Sequence, residues 1–160
     1  MISDDLKKQR NRLLAAVRED IAAHERILVI LDAQEIHVRR PADDAFQQAT
    51  AALERELSRV PQRKSRRERV LRDLAAHFGV STSALTIGSI CERLGTDGTA
   101  LAQDREKLLE LATEVKRRNR RVATLVRVHR QVTRELIQVV LGPTDGGDVH
   151  AGGSLIDAEV

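Results

Sequence analysis

Asp20 and His24 lie four residues apart, a spacing that puts a carboxylate and an imidazole on one helix face, as metal sites do. One pair is not a site. The other histidines, His37, His77, His129 and His150, are scattered along the chain, and a half-exposed histidine beside a carboxylate is the ordinary reading. Cys91 sits among Ile87, Ile90 and Leu94, which predicts a buried thiol rather than a nucleophile. Ser81, Thr82 and Ser83 stand where a helix should start, and capping accounts for them. No glycine-rich loop follows a strand, because no stretch reads as a strand. The expectation is a protein that is not an enzyme and has neither metal nor cofactor. The remaining chemistry is electrostatic. Arg59 to Arg72 carries seven basic residues and one acid, and Lys116 to Arg121 carries five basic residues in six. Side by side, two such stretches would make a patch that attracts phosphate or an acidic protein.

Long helices must carry these residues. Leu14, Val17, Ile21, His24, Leu28, Leu31 and Glu35 alternate steps of three and four, and Leu13, Ile27 and Ile30 widen that face. This predicts a helix over 3–38, capped by Ser3 and ended by Arg39-Arg40-Pro41. A second helix is expected over 43–78, kinked or broken at Pro61 and closed by Gly79. A short helix over 81–94 precedes the turn cluster GTDGT, and a last helix spans 100–141, roughly 63 Å at the usual rise. Its seam reads Leu101, Leu108, Ala112, Val115, Asn119, Val122, Val126, His129, Thr133, Leu136 and Val140, with a second row of Leu111, Leu125, Val132 and Val139. The fold class is all-α: an elongated antiparallel helical bundle, or coiled coil, of three long helical segments and one short one. The bundle is assigned to 1–142 and a flexible, disordered tail to 143–160.

Composition agrees. Of 160 residues 32% are charged and 1% aromatic, so the core must be aliphatic, as in thin-seamed bundles. The net charge of +3 is uneven: residues 1–58 sum to −2, 59–121 to +7 and 122–160 to −2. Neither a signal core nor a membrane span is legible, and one cysteine excludes an internal disulfide, so a cytoplasmic location is expected. Against nucleic acid stand the missing stacking rings, the lack of a helix-turn-helix or zinc motif, and acids interleaved on the same helices.

Three stretches resemble the FlgN-type flagellar export chaperones. They are the amphipathic first helix with Glu25 and Val29, the segment RVLRDLAAHFGVSTSALTIGSICERLG (Arg69 to Gly95) with its Phe78-Gly79 turn and Leu85-Thr86-Ile87, and the last helix with Asn119, Leu125 and Val126. Val122 stands where the family has a second Asn, and His150 where its tail has a Tyr. The resemblance implies a cytoplasmic chaperone that holds the C-terminal helices of hook-associated proteins and delivers them to an export-gate component. Client binding would then fall to Asn119, Val122, Leu125, Val126, Val132, Leu136 and Val139, and gate docking to His150, Leu155 and Ile156. A scaffolding coiled-coil homodimer and a basic nucleic-acid-binding bundle remain the alternatives.

Overall fold

The computed structural model describes residues 3–38 and 44–141, and these contain helices and turns but no strand. Five α-helices follow in order: α1 (Asp4–His37), α2 (Asp44–Ser58), α3 (Val60–Phe78), α4 (Ile87–Leu94) and α5 (Thr99–Leu141). The Ser3 hydroxyl accepts the Leu6 amide hydrogen bond at 3.3 Å, and Asp4 and Asp5 sit at the positive end of the α1 dipole.

α1 is the central element, in contact with α5 and also with α2 and α3. Burial on two sides explains why Leu13 and Ile27 are deeper than the half-buried Leu14 and Leu28 of the heptad seam. Cross-helix pairs fix the directions. Along α1, Arg18, Glu25 and Glu35 meet Asp104, Lys107 and Arg121 in rising order, each at 2.7 Å, so α1 and α5 run parallel. Against α2 and α3 the order falls: Gln34 meets Thr50, Arg26 meets Glu56, and Glu19 meets Arg66.

α2 and α3 are separated by one residue, Arg59, which keeps helical dihedrals (φ −87°, ψ −11°). Pro61 lies in the first turn of α3, where its missing N–H costs no intrahelical bond. Gly79 then ends α3 at φ 63°, with the Val80 amide on the Ala75 carbonyl (3.0 Å) and its own amide on that of Ala76 (3.3 Å).

The short helix begins later than its serines predict. Ser81 to Ser83 start only a 3-10 turn over Thr82–Ala84, and Leu85 becomes extended and drops into the core. Thr86 and Ser89 then cap each other reciprocally and launch α4. At Gly98 a β-carbon would stand 2.8 Å from the Cys91 carbonyl, so the turn into α5 requires glycine.

The interior has two aliphatic clusters. The larger joins Leu13, Val17, Leu74, Ile90 and Leu101, and the smaller joins Ile27, Leu31 and Val122. Between them along α1 lies a buried ionic layer of Asp20, Glu56 and Arg63.

Candidate interaction surface

The ionic layer settles the chemistry of the Asp20–His24 pair. The Asp20 carboxylate is held by Arg63 (3.6 Å) and Arg67, while His24 Nδ1–H donates to the Asp20 backbone carbonyl at 2.7 Å. The carboxylate therefore faces guanidiniums, not the imidazole. Among the described residues no group of three or more His, Cys, Asp or Glu is arranged to hold a metal. Glu56 bonds Arg26 and Arg59 and lies 3.6 Å from Arg63. The Arg26 hydrogen bond, with the neighbouring positive charges, outweighs desolvation and holds its carboxyl below the usual range. Cys91 is half-buried, and burial pushes its thiol up, away from thiolate chemistry.

The two basic stretches do not merge into one patch. Arg63, Arg66 and Arg67 meet α1 at Glu19 and Asp20, whereas Arg118 and Arg121 meet it at Asp32 and Glu35. Those sites are roughly 20 Å apart along the helix axis. Much of the positive charge is spent on neighbours. Arg117 makes two hydrogen bonds to Glu114, at 2.7 and 2.8 Å, which hold the Glu114 carboxyl low and the Arg117 guanidinium high.

Among the described residues, the far end of α5 has no helix packed along it. Pairing with α1 begins near Arg10 and Asp97 and ends at Glu35 and Arg121, and α1 stops at His37. α5 continues to Leu141 and therefore projects past its neighbour. Val128, Val132, Leu136 and Val139 are 52, 48, 60 and 82% exposed. At about 100° per residue they fall, with Leu125, within about 80° of arc, a stripe roughly 21 Å long. Arg127, Arg130 and Arg134 lie on the other side of the helix. At the base of the stripe opens a cleft of about 630 Å³. Ile36, Val38 and Leu125 supply its apolar lining, and Arg117, Arg118 and Arg121 alternate with Asp32 and Glu35 in its charged lining.

Of the residues expected to bind a client, Leu125, Val132, Leu136 and Val139 share this stripe. Val122 does not: it is 6% exposed and packs on Ile27 and Leu31. Val126 is half-buried in that same cluster, because its position on the helix turns it toward α1. Asn119 lies about 120° round from Leu125 and so is off the stripe; it is on the side of the helix that carries Val126, but it is exposed rather than buried there. His150, Leu155 and Ile156 lie outside the described residues, as does the tail over 143–160. Val128 belongs to the stripe and was legible as a step of three after Leu125, followed by a step of four to Val132. Ile36 and Val38 join through tertiary contact alone, and no local spacing announces them.

No family model, curated protein or solved structure matches this chain. No helix among the described residues is long and apolar enough to cross a membrane.

Proposed function

We propose that this protein is a helix-binding chaperone of the FlgN type, an elongated helical bundle with α2 and α3 antiparallel to α1, that acts in the cytoplasm. Its client is the C-terminal helical region of a hook-associated protein, held before assembly and passed to an export gate. The observation that carries this reading is the apolar stripe on the projecting end of α5, Leu125, Val128, Val132, Leu136 and Val139. An amphipathic helix left bare in water aggregates, and a second apolar stripe of similar length is its natural cover. The internal pairing of Arg63, Arg66, Arg67, Arg117 and Arg121 weighs against a phosphate-binding surface.

Calorimetric titration with peptides from the C-terminal helices of hook-associated proteins tests it. Val132→Asp with Leu136→Asp is the control, since both side chains are exposed and their loss leaves the core intact. Saturable binding that the double variant loses supports the proposal. Binding that survives moves the site off the stripe, and no binding to any such peptide removes the chaperone reading.

A further inference from the structure

A second row runs along α5, roughly opposite the stripe. Lys116, Arg120, Arg127, Arg130 and Arg134 follow steps of three, four and seven, and Ala123 fills the one gap. At about 100° per residue the five basic residues fall within about 80° of arc. They span roughly 27 Å of helix. All five are exposed, and among the described residues none of them has an ion-pair partner. Every acid of α5, from Asp104 to Glu135, lies outside that arc. The side of α5 that faces α1 is the contrast: there Arg118 meets Asp32 and Arg121 meets Glu35.

Charge and shape select the same occupant. Neighbouring basic residues in the row are about 4.5 to 10.5 Å apart in rise, close to the screening length of about 8 Å at physiological salt. Their fields therefore add, and carboxylates set along the same line relieve the repulsion. Steps of three and four are those of a coiled-coil seam, so a second helix stays in register along the whole row. Ala112 and Ala123 lie on the row and let a helix backbone come close. Leu109, 49% exposed, continues it toward the start of α5 and offers one apolar anchor. Nucleic acid fits less well. The phosphates of a duplex wind round its axis and leave a straight row, and the row has no ring on which single-stranded bases could stack.

We infer that this row is a docking surface for an acidic helix of a partner protein, whose Asp and Glu side chains recur at steps of three and four opposite Lys116, Arg120, Arg127, Arg130 and Arg134. Such a helix lies across α5 from Leu125, Val132 and Leu136. A helix on the stripe and an acidic helix on the row are therefore held at the same time, one by apolar contact and the other by charge. α5 becomes a bridge between two partners of different chemistry. This inference rests on the unpaired basic row alone, whatever the stripe receives.

The test is fluorescence anisotropy of the full chain with a fluorescein-labelled designed helix of about 28 residues, long enough to match the row, that carries Glu at steps of three and four and Ala and Gln elsewhere. Arg127→Gln, Arg130→Gln and Arg134→Gln together should weaken its binding about tenfold, and added salt should weaken it in the unaltered chain. Arg66→Gln, Arg117→Gln and Arg121→Gln remove the same charge from arginines that already have partners, and should weaken binding by less than about threefold. Circular dichroism checks that both triple variants stay helical. Equal losses in the two triple variants would overturn the inference, because net charge alone would then explain binding. So would the absence of binding at low salt, or tighter binding of a duplex DNA of equal charge that the first triple variant loses. Val132→Asp with Leu136→Asp should leave the affinity unchanged, and its loss there would place the acidic helix on the stripe instead. The probe is not a hook-associated peptide, so its failure leaves the client titration standing, and the reverse also holds.

Discussion

The two ends of α5 are built from similar residues and meet opposite fates. Near the start, Leu101 is 1% exposed among Leu13, Leu74 and Ile90; near the end, Leu136 is 60% exposed. Both lie on one continuous helix, and both sit on apolar rows of similar spacing. The difference is the neighbour. α1 lies alongside α5 from the level of Leu101 to that of Val126 and then stops. One half of the helix holds the molecule together, and the other half has no covering helix among the described residues.

That contrast has a direct stability test. Leu101→Ala removes a fully buried side chain and should cost about 2–5 kcal/mol of unfolding free energy. Leu136→Ala should change it by less than about 0.5 kcal/mol. Urea denaturation of the two variants reads both values, and equal losses would mean that the projecting half is packed after all.

A smaller effect is expected at the boundary between the aliphatic clusters. Arg63→Met removes a guanidinium that is 9% exposed and spans Asp20 and Glu56. Each carboxylate keeps another arginine, Arg67 on Asp20 and Arg26 on Glu56, so the loss should be about 1–3 kcal/mol rather than the cost of a stranded charge. A loss comparable to that of Leu101→Ala in the same urea measurement would show that the layer acts as one unit.

The smallest effect is in the pH dependence. The Glu56 carboxyl is held below its ordinary value of 4.5, chiefly by the Arg26 hydrogen bond. A depressed carboxyl contributes stability that is complete above its unfolded value and is lost as pH falls through its folded value. The stability gap between the native chain and Glu56→Gln should therefore be constant near neutrality and shrink as the pH drops below about 4.5. Urea midpoints across that range measure it, and a gap that widens toward acid would reverse the sign assigned to Glu56.

Local signals carried most of the helix boundaries. Ser3 and Gly79 act through their own backbone or the next turn, so their roles were legible without a partner, whereas the spacing left open whether Pro61 kinks or breaks the second helix. The start of α4 was misjudged because Ser81, Thr82 and Ser83 are all competent caps. Burial of Leu85 selects among the capping residues, leaving the role to Thr86. For the candidate surface, the spacing of Leu125, Val132, Leu136 and Val139 marked one face. Nothing in that spacing separated them from Val122, which looks equally apolar and is buried on Ile27 and Leu31.

By itself, the sequence determined that this chain is helical, along which stretches its long helical segments run, and which rows of each are apolar. Those properties depend on residues within about one turn of each other. Tertiary structure alone decided which apolar row is covered. That outcome depends on the register of α1 against α5, set by pairs such as Arg18 with Asp104 and Glu35 with Arg121, 86 residues apart in each case. It also decided that the two basic stretches meet α1 at separate heights rather than forming one positive face. Helical period sets the direction of a side chain, but the length and offset of a neighbouring helix decide what that side chain meets.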